Sequence, residues 1–268
     1  MTVGGDWTEI TCPEYPEQPE GWEEPANPFT GKVTPWSLES IGSIQAAPDG
    51  VLWCGTIPGG LFKSEDQGVS WSFIRSLWDL PERTQWMGAG VDYAGIHSIC
   101  VDPRDANHIT VGVSIGGVYV TRDGGESWKA MCSGLRAEYM PPEQAEDPAA
   151  QDPHLIAQCV AEPDTIWTQH HNGVFVTRNG CERWEEIEKI DPSTFGFAVA
   201  VHPEDGNTAW LVPGIKDELR IPVDGKLVVT KTTDGGKSWK KLSNGLPQVD
   251  AYDLVYRHAR LLMKPGTI

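Results

Sequence analysis

Arginine, histidine, tyrosine and carboxylate side chains are concentrated in a few segments of this 268-residue chain. Arg136, Glu138 and Tyr139 stand close together, and two histidines are adjacent at His170 and His171. Further candidates of the same types are His97, His154, Lys216, Asp217, Glu218 and Arg220. A mixture of cations and carboxylates forms charge-assisted hydrogen bonds to ligands that carry hydroxyl or anionic groups. If the fold brings these residues together, we expect them to bind a small polar molecule.

Histidines beside carboxylates could instead hold a divalent metal ion. The sequence has neither a His-x-His nor a His-x-x-x-His spacing. Adjacent His170 and His171 would point to opposite sides of a strand, so only one of them would face a common site. We therefore expect no metal site and no cofactor.

A nine-residue pattern that occurs four times defines the scaffold holding these residues. Its recurring members are Ser64, Asp66, Gly68 and Trp71; Thr121, Asp123, Gly125 and Trp128; Thr177, Asn179 and Trp184; and Thr232, Asp234, Gly236 and Trp239. The acid or amide recurs at intervals of 57, 56 and 55 residues. A fixed period of this length indicates a repeat protein built from one small unit. Short side-chain oxygens hydrogen-bond the backbone of their own turn, and glycine supplies positive φ, so we expect a structural motif.

The third copy of the pattern departs from the others. Asn179 replaces the aspartate, Cys181 replaces the glycine and Arg183 replaces the serine. Each change removes a group that would stabilise the turn. We therefore expect this turn to be the weakest of the four.

Short apolar runs precede each copy, separated by a proline turn and a glycine-containing loop. In the second unit these runs are 97–101, 108–113 and 118–121, and a fourth follows the motif. Four short strands joined by turns are typical of one β-propeller blade. Because strand direction alternates, the proline turns and the motifs share one face and the longer loops share the other. This loop-rich face comprises the loops at 78–97, 132–154, 169–172 and 213–226, and it carries all the candidates above.

The motif resembles the Asp-box, or BNR repeat, the S-x-D-x-G-x-x-W signature of sialidase-like β-propellers. The resemblance covers about residues 48–239. It implies an all-β fold of four-stranded antiparallel blades, in which the box closes the third hairpin and lies opposite the active site. We expect one domain over 1–268, with boxed blades in about 43–242 and partial blades in 1–42 and 243–268.

The partial blades predict an open arc, or part of a larger ring. Tyr252–Tyr256 reads as the first strand of a fifth blade, and Gly4–Ile10 as the tail of an earlier box.

The resemblance also implies a chemistry. Sialidases of this architecture use an arginine cluster, a tyrosine nucleophile with a glutamate partner, and an aspartate acid/base. By that resemblance, the candidate catalytic residues are Glu138, Tyr139, Asp217 and Glu218. The candidate ligand-binding residues are Arg136, His97, His154, His170, His171, Lys216 and Arg220. Leu219–Pro222 matches the family's arginine motif, but that motif normally precedes the first box, so we interpret the match as coincidence.

Three functions stay open. The chain could be a glycoside-hydrolase-like enzyme, in the manner of an exo-sialidase, acting on a polar or carbohydrate ligand. It could be a propeller that binds a small ligand or a protein without catalysis. It could also be an assembly factor resembling the Asp-box proteins of photosystem assembly. The sequence does not identify a protein partner.

Charge and composition narrow the partners and the compartment. The formal net charge is −17, which disfavours binding to nucleic acid. No apolar run is long enough to cross a membrane, and the first residues do not form a signal peptide. The six cysteines show no C-x-x-C spacing, so we expect buried free thiols and a cytoplasmic protein.

Overall fold

A computed structural model describes residues 9–88 and 91–256, and the strands in these ranges form four antiparallel sheets of four. The first sheet contains β1 (Ser40–Ala46), β2 (Leu52–Ile57), β3 (Leu61–Ser64) and β4 (Ser72–Phe73). The second contains β5 (Ile96–Val101), β6 (Ile109–Val113), β7 (Gly117–Thr121) and β8 (Lys129–Ala130). The third contains β9 (Pro153–Gln158), β10 (Ile166–His170), β11 (Gly173–Thr177) and β12 (Glu185–Glu186). The fourth contains β13 (Gly196–His202), β14 (Asp205–Pro213), β15 (Val229–Thr232) and β16 (Lys240–Leu242).

Helical structure is confined to short pieces in the longer loops. A single α-helical turn, α1 (Arg75–Trp78), follows the first blade, and 3-10 turns cover Pro81–Gln85, Pro148–Ala150 and Val223–Gly225. Within the described ranges, no helix is long and apolar enough to cross a membrane.

The sheets are β-propeller blades. In each sheet the strands pair in sequence order, as the repeated pattern predicts. The first strands of successive blades contact one another, β1 with β5, β5 with β9 and β9 with β13. The predicted all-β fold of four-stranded antiparallel blades is therefore confirmed. Over residues 9–88 and 91–256 no comparable contact joins β1 to β13, so these blades form an open arc.

A hydrophobic core fills each interface between neighbouring blades. Trp53 and Leu61 of the first blade pack with Ile99 and Val111 of the second. Two further clusters fill the next two interfaces in the same way. Because both faces of an inner blade are covered, β6 and β7 are buried along their whole length. This accounts for the nearly continuous apolar runs in the sequence.

The turns formed by the four copies of the nine-residue motif, called box turns below, are held by their own side chains. In the second copy the Thr121 hydroxyl donates to Asp123 Oδ1 at 2.6 Å and accepts the Gly125 N–H at 3.0 Å. The Ser127 N–H and hydroxyl donate to the same carboxylate at 2.9 and 2.5 Å. These hydrogen bonds lower the pKa of Asp123 to about 2. Equivalent bonds surround the first and fourth boxes.

The third box keeps the frame but loses part of this network. The Asn179 side chain accepts the Thr177 hydroxyl at 2.8 Å and the Arg183 N–H at 3.0 Å. Arg183 has no hydroxyl to replace the serine bond. Cys181 adopts φ of 69°, a left-handed conformation that glycine takes in the other copies.

The ends of the described chain differ from the expected partial blades. Residues 9–39 form no strand and only an isolated bridge, Ala26–Val33. The prediction of a fifth-blade strand at Tyr252–Tyr256 was wrong, since these residues form no strand in the described part of the chain. Instead the segment packs on the fourth blade, with the Tyr256 ring 4.9 Å from Phe197. Residues Gly4–Thr8 of the expected box tail lie outside the described residues.

Candidate functional site

A buried cluster of one aspartate and three histidines lies beneath the loop-rich face. Asp152 immediately precedes β9, His154 lies on β9, His170 ends β10 and His171 occupies the following turn. Asp152 Oδ2 is 3.4 Å from His154 Nε2 and 3.6 Å from His171 Nδ1. The Asp152 N–H donates to His170 Nε2 at 3.0 Å. The cluster therefore joins the long loop before β9 to the β10–β11 turn.

Both adjacent histidines reach Asp152, contrary to the expectation from strand alternation. His170 is fully buried in the strand, whereas His171 lies beyond its end. The pairing of β9 with β10 is irregular between Gln169 and His170. Alternation of side chains holds only within a regular strand, so it does not separate these two rings.

The electrostatics of the cluster centre on the Asp152 carboxylate. Burial raises the pKa of Asp152, but contacts with His154 and His171 outweigh it and hold the pKa well below its usual range. Burial lowers the pKa of His170 to about 3, so this ring is neutral. Contact with the Asp152 carboxylate raises the pKa of His171. The cluster thus contains a buried anion beside rings that can carry positive charge or bind a cation.

Side chains of the loop-rich face, which we call the rim, cover the cluster: Arg136, Glu138, Tyr139, Glu186, Asp217 and Arg220. Ion pairs hold the rim together. Arg136 donates to Glu186 through Nε and Nη2, both at 2.8 Å, and Nη1 contacts Glu138. The Glu138 N–H donates to Asn172 Oδ1 at 2.9 Å. These bonds connect the loop before β9 with the β10–β11 turn and with β12. Asn172 Nδ2 also donates to Glu138 Oε2 at 3.5 Å, so the exposed Glu138 carboxylate has partners on two sides.

Aromatic rings line the same region. The Tyr139 ring, 40% exposed, lies edge-on to His171 with centroids 5.0 Å apart. Its hydroxyl donates to the Ala150 carbonyl, and burial raises the pKa of the phenol, so Tyr139 is neutral. His154 stacks on Phe197 at 4.4 Å, and the Arg220 guanidinium lies 5.2 Å from the same ring.

Most of the sequence-predicted site residues meet here. The residues brought together are Arg136, Glu138, Tyr139, His154, His170, His171 and Arg220, with Asp217 accepting from Arg220 Nε at 3.0 Å. Lys216 and Glu218 pair with each other at 3.5 Å on the exposed 213–226 insertion. His97 lies on β5, where Nδ1 is 3.0 Å from Ser98 Oγ, and it is not part of the aspartate–histidine cluster. The catalytic and ligand-binding roles of all these residues stay predictions.

Three residues of the site have no assigned role in the sequence analysis: Asp152, Glu186 and Phe197. The Asp152-x-His154 spacing was a usable signal, because residues two apart at a strand start share a face. Glu186 and Phe197 lie in ordinary strand positions. Only the packing of neighbouring blades brings them to the site.

The arrangement can recognise a polar ligand in two ways. The carboxylates of Glu138, Glu186 and Asp217 each accept hydrogen bonds from an arginine and can accept more from ligand hydroxyls. The exposed Tyr139 ring offers an apolar surface beside them. Convergent polar groups around an aromatic surface are typical of small-molecule sites.

Comparison with known proteins supports the fold. No protein-family model matches the chain. The oligoxyloglucan-reducing end-specific xyloglucanase of Emericella nidulans is 29% identical over 220 residues, covering 72% of this chain and 25% of that protein. A probable enzyme of the same name from Neosartorya fischeri is 25% identical over 221 residues, with 72% and 25% coverage. The chain thus spans about a quarter of the length of the curated relatives it matches.

Comparison with solved structures also finds backbone similarity to part of larger β-propeller proteins. An ancestral GH74 enzyme superposes with a TM-score of 0.55 at 16% identity, covering 79% of this chain and 26% of that one. The GH74 xyloglucanase of Xanthomonas campestris gives 0.54 at 21% identity, with 74% and 29% coverage. At such identities the likeness shows the fold alone. This chain is a set of β-propeller blades similar to part of those enzymes.

Proposed function

We propose that these blades belong to a carbohydrate-acting propeller and bind an oligosaccharide on the loop-rich face. The observation that carries the proposal is the rim around Glu138 and Tyr139. There, arginine-paired carboxylates lie beside an exposed aromatic ring. Sugar hydroxyls donate well to carboxylates, and the C–H faces of sugar rings pack on aromatic rings.

The charge of the rim favours a neutral sugar over a sialic acid. Arg136 already pairs with Glu138 and Glu186, and Arg220 already pairs with Asp217. Neither arginine is left to neutralise the carboxylate of an anionic sugar, and the whole chain carries a formal charge of −17. The two curated relatives are named as xyloglucanases. We therefore propose xyloglucan-type oligosaccharides as the first ligands to test.

Binding is the part of the function that these blades support best. Glycoside hydrolysis needs one carboxyl group that holds a proton close to the scissile bond. Here Glu138 and Asp217 accept hydrogen bonds from arginines, and the Tyr139 hydroxyl donates a hydrogen bond to a carbonyl. Hydrolysis of the oligosaccharide by the whole protein is a second proposal. Substitution of Glu138 and Asp217 would test it.

Calorimetric titration of the chain with xyloglucan oligosaccharides and with sialyllactose tests the proposal. We expect the neutral oligosaccharide to bind more tightly. Glu138→Gln should weaken binding about tenfold or more, since a hydrogen bond to a charged group is worth about 1.5–3 kcal/mol. Tyr139→Ala should weaken it by removing the stacking surface.

Glu126→Gln is the matched control, because Glu126 is an exposed glutamate in the second Asp-box turn on the opposite face. It should bind as the wild type does. Absence of binding to neutral oligosaccharides, tighter binding of sialyllactose, or equal losses in Glu126→Gln and Glu138→Gln would each overturn the proposal.

Buried free thiols also support a cytoplasmic location, which we propose. Cys54, Cys132, Cys159 and Cys181 are buried free thiols, and Cys12 is an exposed free thiol. Proteins of oxidising compartments more often pair their cysteines.

A further inference from the structure

Asp152, His154 and His171 direct three ligand atoms toward one point below the rim. The atoms Asp152 Oδ2, His154 Nε2 and His171 Nδ1 lie within 4.8 Å of one another. Asp152 and His154 are almost completely buried, and His171 is 24% exposed. A direct charge-assisted hydrogen bond between such groups spans about 2.7–2.9 Å. The observed 3.4 and 3.6 Å separations are both longer.

The hydrogen bond on the far side of His154 fixes its tautomer. His154 Nδ1 lies 2.7 Å from the carbonyl oxygen of Gly196 on β13. A carbonyl oxygen can only accept, so Nδ1 carries the proton. In the neutral imidazole, Nε2 then presents a lone pair. That lone pair faces the Asp152 carboxylate. Because both atoms are hydrogen-bond acceptors, they need either a cation between them or a second proton on the ring.

The two separations from Asp152 Oδ2 are close to those expected between ligands of one tetrahedral metal ion. Zinc binds histidine nitrogen at about 2.0–2.1 Å and carboxylate oxygen at about 2.0–2.2 Å, so tetrahedral ligands stand about 3.3–3.5 Å apart. Octahedral neighbours at the same bond lengths would stand about 2.8–3.0 Å apart. The observed 3.4 and 3.6 Å fit the tetrahedral arrangement better.

The surroundings also suit a metal ligand. Metal-binding histidines usually donate their second ring N–H to a carbonyl or carboxylate, which fixes the ring. The Gly196 carbonyl does this for His154. The Asp152 backbone is held by His170, and the Ile115 N–H donates to Asp152 Oδ1 at 3.3 Å. Oδ2 therefore points to the histidines while Oδ1 is occupied.

We propose that Asp152, His154 and His171 bind one zinc-like divalent ion, with a fourth position left for water or a ligand oxygen. Two histidines and one carboxylate form a ligand set that zinc commonly takes. The site would also tie the loop before β9 to the β10–β11 turn. It does not depend on carbohydrate binding, because the three ligands come from beneath the rim.

Zinc titration of chelator-treated protein, followed by calorimetry and elemental analysis, tests the site without any sugar present. The wild type should bind one zinc ion per chain. His171→Ala should weaken binding by at least tenfold and should fold, because this side chain is partly exposed. Asp152→Asn should weaken it similarly.

His108→Ala provides a matched control. His108 also faces a carboxylate, with Nδ1 3.2 Å from Asp102 Oδ2, but among residues 9–88 and 91–256 no second histidine forms a metal-type cluster with that oxygen. It should bind zinc as the wild type does. Equal zinc affinity in wild type and His171→Ala would overturn the proposal, as would the absence of bound zinc in the wild type.

Cobalt substitution of the wild type supplies a measurement that requires no variant. Tetrahedral cobalt(II) absorbs visible light much more strongly than octahedral cobalt(II). We expect the tetrahedral spectrum at one equivalent and its loss on adding zinc. A weak octahedral spectrum, or a cobalt signal that zinc does not displace, would show that this site does not hold the ion.

Discussion

Removal of the Thr121 hydroxyl should destabilise the second box turn by a predictable amount. Thr121 is 1% exposed, and its hydroxyl accepts the Gly125 N–H at 3.0 Å while donating to Asp123 Oδ1 at 2.6 Å. Thr121→Val keeps the shape of the side chain and removes both of these bonds and a longer one from the Asp123 N–H at 3.3 Å. The Gly125 N–H is buried, so it loses its partner without gaining water.

The largest part of the free-energy cost comes from the buried Gly125 N–H, which loses its acceptor. A buried N–H without a partner costs about 1–3 kcal/mol, whereas the exposed carboxylate of Asp123 can turn to water. In domains of about 150–250 residues each kcal/mol lowers Tm by about 2–4 °C. We therefore expect Thr121→Val to unfold about 2–12 °C below the wild type.

Thermal unfolding followed by circular dichroism measures this change. Ser127→Ala is the control, because Ser127 is exposed and its hydroxyl bonds only the exposed side of Asp123. It should unfold close to the wild type. A Thr121→Val protein as stable as the wild type, or a larger loss in Ser127→Ala, would refute the view that the buried N–H sets the cost.

Two more predictions concern titratable side chains. Burial lowers the pKa of His108 below its unfolded value near 6.5, so the stability gained from the neutral ring is present above pH 6.5 and decreases as pH falls. The free energy of unfolding in urea should therefore fall more for the wild type than for His108→Asn when the pH is lowered from 7.5 to 5.5. The same fall in both proteins would contradict this. Burial raises the pKa of Cys54 and Cys132 to about 12, and Cys12 is the exposed thiol. Thiol titration at pH 8 should therefore detect one fast-reacting cysteine in the native chain and six in urea, and several fast thiols before unfolding would refute the burial assignment.

The sequence predicts the blades well because each box turn is a local structure. A hydroxyl, an acid and a glycine within five residues determine the turn, and the apolar runs around it determine the strands. The face that carries the loops follows from strand alternation. These features need no knowledge of how distant segments pack.

The site could be predicted only in part, because its contacts join different blades. His154 stacks on Phe197 and donates to Gly196, both on the next blade. Arg136 reaches Glu186 across a separation of 50 residues. No local pattern encodes these distances. His97 was placed with the loops because β5 was predicted to begin there, yet the strand starts at Ile96 and buries it.

The most direct test of oligosaccharide binding at the loop-rich face is a crystal structure of the chain with a xyloglucan oligosaccharide. We predict a sugar hydroxyl within hydrogen-bond distance of the Glu138 carboxylate and a sugar ring packed on Tyr139. An oligosaccharide bound instead on the opposite face, at the turns that contain Asp66 and Asp123, would contradict the proposed function.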